Sequence, residues 1–183
     1  GLKSTTALCA FGAAAWALVP DARAGCDTNT PANGATVTCT SAAPNPDTTG
    51  ISDVSTTDVT VNVLSGATVG GGVPRAIDLG SRTTIVTQAG SALLSGVRLQ
   101  GPDGNITLGG SADSLSLSGG NATVLIEETG SVEGSPVASR ISVFSDNNII
   151  TVNGSVDSTP NNAFNTSAIS GNGDGNRFFV GAN

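Results

Sequence analysis

Short runs in which apolar and polar residues alternate recur along the chain from residue 51 onward. In the run VTVNVL at 59–64 the valines occupy every second position, and a threonine and an asparagine lie between them. Alternation with a period of two is typical of a β-strand that buries one face. The pattern returns in four further pairs of aliphatic residues: Ile106 and Leu108, Leu115 and Leu117, Val124 and Ile126, and Ile141 and Val143. Because each run buries only two or three aliphatic side chains, the runs need a shared core to be stable.

Five runs along the chain lead into a glycine that is followed by a small residue. These steps are Gly66-Ala67, Gly90-Ser91, Gly110-Ser111, Gly130-Ser131 and Gly154-Ser155, at intervals of 24, 20, 20 and 24 residues. A near-constant period of this length without a helical pattern predicts a parallel β-helix, an all-β solenoid of about 20–24 residues per coil. The five glycines are expected at equivalent corners, where they supply a positive φ or room for the neighbouring coil.

The periodicity also predicts which side chains face the core. The expected inward residues are Val61, Val63, Val86, Ile106, Leu108, Val124, Ile126 and Ile150, joined by Val69, Leu93 and Val132 just after their glycine steps. Asparagines expected to form amide ladders between coils are Asn105, Asn121, Asn147, Asn148 and Asn153. A β-sandwich is the alternative fold, since it also has turn signals about every 8–12 residues. It does not require near-equal intervals, however, and it usually has a more aromatic core than an aromatic content of 3% allows.

The first 24 residues have the pattern of a cleaved secretory signal. Lys3 provides a positive start, residues 7–19 form an uncharged apolar run, and Ala22-Arg23-Ala24 is a small-x-small cleavage pattern before Gly25. The run is shorter than the roughly 20 residues of a membrane span. A lipoprotein signal ending at Cys26 is the alternative, although Arg23 stands where such signals carry an aliphatic residue. We therefore expect cleavage between Ala24 and Gly25 and export of the mature chain.

Residues 25–50 form an irregular, proline-containing segment before the repeats begin. It holds Cys26 and Cys39, an even pair in a chain that is expected to enter an oxidising compartment. A bridge between them would contribute about 3 kcal/mol in the chain-entropy model. Because the first coil of a solenoid has an open strand edge, we expect this disulfide-bearing segment to be an N-terminal cap, with coils over 51–183.

Composition narrows the chemistry that the chain can perform. It contains no histidine, which removes Ser-His-Asp catalysis and histidine metal sites. A formal net charge of −7 without basic clusters disfavours nucleic acid as a partner. Paired carboxylates remain, and the candidates are Glu127, Glu128, Glu133 and the pair Asp146 and Asp157. The adjacent Glu127 and Glu128 should point to opposite faces of a strand, so solvated surface acids are the simpler interpretation.

Three other motifs point to no specific chemistry. The glycines at 70–72 lack the Lys-Ser/Thr of a phosphate loop and predict a flexible corner before Pro74. The stretch SGNGDGN at 170–176 has a single aspartate, Asp174, which favours a plain turn over a calcium loop. The phenylalanines at 144, 164, 178 and 179 are too few for a sugar-stacking platform, and the last two predict a strand with one ring buried. The sequence therefore predicts no catalytic residue, no metal and no cofactor.

Several features together resemble the N-terminal passenger region of bacterial autotransporters, the proteins of type V secretion. They are the signal ending in Ala-Arg-Ala, a Cys-x12-Cys opening that contains VTCT at 37–40, and Thr/Asn/Val strands with Gly-Ala or Gly-Ser steps. The resemblance implies a right-handed parallel β-helix that crosses the outer membrane and is displayed at the cell surface. The chain has no run of amphipathic strands with aromatic girdles, so the family's translocator barrel is expected downstream, in a chain that continues beyond Asn183.

Two functions are compatible with these observations. The first is a non-catalytic, exported β-helix at the cell surface or secreted from it, which acts as an adhesin or an adhesin stalk for a molecule on a host or neighbouring cell. The alternative is the N-terminal scaffold of a polysaccharide-active enzyme whose catalytic coils lie downstream. The missing histidine and the separated acids favour the first function.

Overall fold

The computed structural model describes residues 25–133, 140–157 and 168–181, so the signal predicted for residues 1–24 lies outside it. Every regular element in the described residues is a β-strand. The strands are β1 (Thr36–Cys39), β2 (Ile51–Thr57), β3 (Thr60–Val63), β4 (Thr68–Val69), β5 (Arg75–Ser81), β6 (Thr84–Thr87), β7 (Ala92–Leu93), β8 (Gly96–Leu99), β9 (Asn105–Leu108), β10 (Ser111–Ala112), β11 (Leu115–Leu117), β12 (Thr123–Ile126), β13 (Ser131–Val132), β14 (Ile141–Val143), β15 (Ile149–Val152), β16 (Ser155–Val156), β17 (Ile169–Gly171) and β18 (Arg177–Val180).

The strands form three sheets in which each strand pairs in parallel with its equivalents on the neighbouring coils. Sheet A contains β1, β3, β6, β9, β12, β15 and β18 in that order. Sheet B contains β4, β7, β10, β13 and β16, and sheet C contains β2, β5, β8, β11, β14 and β17. The chain visits sheets A, B and C in turn, and each strand of sheet B marks one of five turns. This architecture confirms the predicted parallel β-solenoid.

The core is a stack of aliphatic rows inside the three sheets. In sheet A the register aligns Val37, Val61, Ile85, Ile106, Val124 and Ile150 in one buried row, and Cys39, Val63, Thr87, Leu108, Ile126 and Val152 in a second. In sheet B the buried residues include Val69, Leu93 and Val132. These rows confirm every predicted inward position except one.

The prediction that Val86 faces inward is wrong. Ile85 aligns with Val61 and is fully buried, whereas Val86 aligns with Asn62 on the outer face and is half-buried. The register puts Thr87 into the core instead. Its hydroxyl is satisfied there, because Oγ1 accepts hydrogen bonds from the N–H groups of Gly109 and Gly110, both at 3.1 Å.

The corner between sheets C and A, rather than the glycine step, carries the recurring positive φ. Five non-glycine residues take φ values of 51–61° there, namely Asp58, Arg82, Asp103, Asn121 and Asn147. Their amides link the coils: the N–H of Asp58 donates to Ser81, and that of Asp103 to Gly120. Aspartate and asparagine tolerate the left-handed region better than other non-glycine residues, which explains four of the five.

The five predicted corner glycines fall into two groups. Gly66 and Gly90 have positive φ values of 77° and 78°. Gly110 aligns with Ser91, one position after Gly90, because Ser111 pairs with Ala92. Gly130 and Gly154 align with Gly110 on the following coils. At Gly110 a Cβ would collide with the carbonyl oxygen of Ser91. Positive φ and close approach of the neighbouring coil are therefore separate roles at adjacent positions.

Coil length varies more than the glycine steps predict. Equivalent residues lie 24 positions apart at Asp58 and Arg82, 18 apart at Asp103 and Asn121, and 28 apart at Asn148 and Asn176. The connection from sheet B to sheet C spans only 94–95 and 113–114 in two coils, but 70–74, 133–140 and 157–168 in the other three. The insertions therefore fall mostly at one corner of the solenoid.

A disulfide joins Cys26 to Cys39, as predicted. Cys26 makes an antiparallel bridge with Cys39, and the N–H of Asp27 donates to the carbonyl of Thr38 at 3.1 Å. The segment around Cys26 thus covers the outer edge of β1, which itself lies within the range assigned to the cap. Asp47 fastens this segment from the other side, because its carboxylate accepts hydrogen bonds from Cys26 N (3.1 Å), Asn29 Nδ2 (3.3 Å) and Thr49 Oγ1 (2.6 Å).

One predicted asparagine forms an amide ladder inside the solenoid. Asn148 is fully buried, and its Nδ2 donates to Oδ1 of Asn176 at 3.0 Å, while its own Oδ1 accepts from the N–H of Ala122 at 2.9 Å. Asn121 instead donates to Asp103 at 3.3 Å. Within the described residues, Asn105, Asn147 and Asn153 make no amide–amide hydrogen bond, so the ladder is local and does not run the length of the solenoid.

Candidate functional groove

Polar side chains line the outer face of sheet C at its N-terminal end. In β5 the alternation places Ile77 and Leu79 in the core, and Asp78 outside between them. In β8 the same alternation places Arg98 outside. The parallel register sets Ser52, Asp78 and Arg98 side by side on three successive coils.

Asp78 and Arg98 form a bidentate ion pair across adjacent strands. Arg98 donates from Nε to Oδ1 at 3.0 Å and from Nη2 to Oδ2 at 2.5 Å, and Gln100 Nε2 adds a third hydrogen bond to Oδ1 at 3.0 Å. Burial raises the pKa of Asp78, but the hydrogen bonds from Arg98 and Gln100, together with the charges of Arg98 and Arg75, outweigh it. The pKa therefore lies below its ordinary value, and Asp78 is a carboxylate at neutral pH, unsuited to act as a general acid.

Arg75 lies beside this pair and is not part of it. It is half-buried at the start of β5, and its guanidinium makes no hydrogen bond or ion pair with any other residue that the structure describes. Its register partner is Gly96, which has no side chain to occupy the outer face of β8. A Cβ on Gly96 would lie 2.7 Å from Nη1 of Arg75, so the guanidinium fills the space that this glycine leaves.

The outer groove, as we name it, is the open cavity of about 490 Å³ above these residues. Its lining consists of Thr49, Ser52, Val73, Pro74, Arg75, Asp78 and Arg98. The wall of Val73 and Pro74 belongs to the insertion at 70–74, which connects sheet B to sheet C. The lining therefore combines two guanidinium groups, one carboxylate, two hydroxyls and a short apolar wall.

The groove has the opposite charge to the chain as a whole. Two arginines and one aspartate give its lining a formal charge of +1, whereas the formal net charge of the chain is −7. The charge of Arg75 acts on Asp78, but its guanidinium makes no hydrogen bond with another described residue, so its N–H groups can bind an anion in this concave position.

The structure does not bring the predicted candidate acids together. Glu127 and Glu128 do not lie on a strand, since β12 ends at Ile126, and both are exposed in the turn that follows. Glu133 is exposed and accepts a hydrogen bond from Ser131 Oγ at 2.8 Å. Asp146 is exposed at the corner between sheets C and A, and Asp157 follows β16 in sheet B. None of them lines the outer groove.

The other predicted motifs are turns and exposed strands. Residues 70–72 form the corner before Pro74, as expected. The stretch 170–176 contains the end of β17 and a bend in which the N–H of Asp174 donates to Asp146 at 2.8 Å. No group of three or more potential metal ligands occurs among the described residues. Phe178 and Phe179 lie in β18, but neither ring is buried, so the prediction of one buried ring in that strand is wrong. Phe164 lies outside the described residues.

The Asp78–Arg98 pair, which the sequence analysis does not name, has a signal in the sequence. The segments IDL at 77–79, VRL at 97–99 and LSL at 115–117 share one pattern, and they align when the chain is folded into coils. The polar residue between two aliphatic ones in each segment is the outward position. No comparable sequence pattern marks Arg75, because the space that its guanidinium occupies depends on the missing side chain of Gly96 on the next coil.

Comparison of the chain with protein-family models, curated proteins and solved structures finds no match. In the part of the chain that the structure describes, no helix has the length and apolar character to cross a membrane.

Proposed function

We propose that this chain is an exported, non-catalytic β-solenoid segment of an autotransporter-like passenger, displayed at the cell surface or secreted, where it acts as an adhesin or an adhesin stalk. The repeated three-sheet coil is the observation that carries the proposal. Seven parallel strands of sheet A, spaced about 4.8 Å apart, extend over about 29 Å. Each coil rests on its neighbours, so a stack of this kind gains length without a change in cross-section.

Two further observations support this proposal. The Cys26–Cys39 disulfide is of a kind that persists in oxidising compartments and is rare in the cytosol. Asp78 is the only acid among the lining residues of the outer groove, and it is held as a carboxylate by Arg98. Glycoside hydrolysis requires two carboxyl groups about 5 to 9.5 Å apart, so this groove favours binding over catalysis.

Surface display is tested in the cells that produce the protein. Intact cells expressing the full-length protein are treated with a protease that does not enter cells, and the same treatment is applied after lysis. We expect cleavage in intact cells and a mature N-terminus at Gly25, with no alkylatable thiol at Cys26 or Cys39. Protection of the protein until lysis, or a lipid on Cys26, would contradict the proposed route.

Adhesion is tested with beads coated with the full chain. Coated beads are incubated with cells of the producing strain, with animal cells and with immobilised polysaccharides, and beads coated with the same chain after reduction and denaturation in urea serve as the control for unfolded protein of the same composition. Attachment that needs the folded chain supports the adhesin function.

The alternative, a scaffold of a polysaccharide-active enzyme, is favoured by one observation: the groove lies on the outer face of a parallel sheet beside the corner with the insertions. Release of reducing ends from the same polysaccharides, without attachment, would support this alternative and contradict the adhesin proposal.

A further inference from the structure

We propose that the outer groove binds a carboxylate-bearing saccharide, a uronic-acid sugar, and that Arg75 is the residue that recognises its carboxylate. The inference deepens the proposed function, because it names a ligand class for one face of the solenoid and rests on that function for its biological setting. The binding itself is a property of the purified chain.

Arg75 is the group in the groove that is available to an anion. Arg98 is already engaged, since two of its nitrogens are hydrogen-bonded to Asp78. Arg75 lines the same cavity, is half-buried and makes no hydrogen bond or ion pair with another described residue. A planar guanidinium matches a carboxylate through two parallel N–H···O bonds, so the N–H groups of Arg75 suit a carboxylate better than a neutral group.

The remaining lining suits a sugar ring. Ser52 offers a hydroxyl that can donate and accept hydrogen bonds, and Thr49, whose hydroxyl proton is donated to Asp47, offers its oxygen as an acceptor for the hydroxyls of a sugar. Val73 and Pro74 provide an apolar wall for the C–H face of the ring. A cavity of about 490 Å³ is of the size that holds small ligands.

The floor of the groove disfavours an acidic peptide as the ligand. An extended peptide commonly binds by adding a strand to a free sheet edge. The strands under the groove, β5 and β8, are internal to sheet C and pair on both sides, β5 with β2 and β8, and β8 with β5 and β11. Their backbone groups are therefore used, and the groove recognises its ligand through side chains.

The position of the groove beside the insertion at 70–74 agrees with this assignment. In repeat proteins, insertions in individual repeats concentrate on one side, which is often the binding side. Here the three longer connections between sheets B and C occur at a single corner, and residues 73 and 74 of the first of them line the groove.

The test is a titration of the full chain, labelled with ¹⁵N, with a trimer of galacturonic acid, and with the same trimer after reduction of its carboxyl groups as the matched neutral ligand. We expect amide shifts confined to Thr49–Ser52, Val73–Asp78 and Gly96–Arg98 for the acidic trimer alone. The Arg75→Gln variant should lose at least about tenfold in affinity, as is typical for a hydrogen bond to a charged group. The Arg177→Gln variant removes an exposed arginine of sheet A and should bind as the unchanged chain does.

A second variant strengthens the test by acting in the opposite direction. Asp78→Asn removes the carboxylate from the lining, raises the formal charge of the groove by one and should tighten binding of the acidic trimer several-fold. Equal binding of the neutral trimer, equal loss in Arg177→Gln, or equal or tighter binding of hexaglutamate would overturn the proposal. Absence of shifts would overturn it too, while attachment of coated beads to cells would then still support the adhesin function through another surface.

Discussion

The two ends of the described solenoid differ in how their last strand is covered. At the N-terminal end the strand is β1, where Val37 and Cys39 are fully buried under the segment held by the disulfide and by Asp47. At the other end β18 continues the same two rows with Phe178 and Val180, whose exposures are 44% and 78%. No described strand lies beyond β18.

A side chain is not buried merely because it lies in one of the inward-facing rows. A coil supplies two or three inward residues, and those residues leave water only when a neighbouring coil or a cap covers them. Burial therefore declines over the last coils, where Val156 and Ile169 are only partly buried. In a protein of these 183 residues, stability should vary in the same way along the solenoid axis.

The largest expected effect comes from placing a carboxylate in one inward-facing row of sheet A, once in the central strand β9 and once in β18. Ile106→Asp puts an unpaired carboxylate into the fully buried part of the row and should cost about 4 kcal/mol or more. In a protein of these 183 residues, Phe178→Asp lies in the same row in β18, where the side chain is exposed, and should cost less than about 1 kcal/mol. Urea denaturation followed by circular dichroism measures both. Equal losses in the two variants would show that β18 is covered as fully as β9.

The second effect concerns the disulfide of the N-terminal end. Replacing Cys26 and Cys39 together by serine should reduce the local stability of the N-terminal segment by about 3 kcal/mol. Without the bridge, this segment has more conformational freedom in its unfolded state. Hydrogen exchange is expected to rise in β1 and β3 and to remain unchanged in β12 and β15. A uniform rise across all coils would indicate that the solenoid opens as one cooperative unit.

A third effect is dependent on pH and again confined to the N-terminal end. Burial raises the pKa of Asp47, but hydrogen bonds from Thr49, Cys26 and Asn29 outweigh it, so the folded pKa lies below the ordinary value. A carboxyl of this kind contributes stability that is present above its unfolded pKa, about 3.9, and is lost as the pH falls through the folded value.

Asp47→Asn should therefore destabilise the cap by about 1–2 kcal/mol at pH 7, since an amide nitrogen replaces one acceptor oxygen. The difference between the variant and the unchanged chain should shrink below about pH 4 as Asp47 protonates. Hydrogen exchange of the Cys26 amide at pH 7, 4 and 2.5, corrected for intrinsic rates, measures it. A difference that stays constant over this range would assign the effect to packing instead of to the charge.

The solenoid itself could be predicted from the sequence because its signals are local and repeated. Alternation fixes the inward face of β9, where the polar Thr107 separates the buried Ile106 and Leu108. Alternation is ambiguous in β6, where Ile85 and Val86 are adjacent and both aliphatic. The register is settled there by Thr87, whose hydroxyl accepts two amides of the next coil, and a single sequence does not contain that information.

The groove could not be predicted for a related reason. Its parts lie on separate coils, about 20 to 26 residues apart, and coil length is set by connections that vary from one turn to the next. Asp78 and Arg98 become neighbours only once the register is known. Arg75 depends in addition on the missing side chain of Gly96, which is a property of the pair and of neither residue alone.

The smallest expected effect on stability concerns an exposed ion pair, which is compared with an ion pair of the same geometry that is more deeply buried. Arg82 pairs with Asp58 one coil away with Nε–Oδ1 at 2.6 Å and Nη2–Oδ2 at 2.7 Å, the same arrangement as Arg98 and Asp78, but both of its side chains are about half exposed. Water and salt screen such a pair, so Arg82→Gln should leave the denaturation midpoint unchanged within error. Arg98→Gln should lower the midpoint clearly, because it leaves Asp78 buried without its cation. Equal shifts in the two variants, measured in the same buffer at low and at high salt, would mean that the pairs matter for their geometry and that depth within the solenoid does not decide stability.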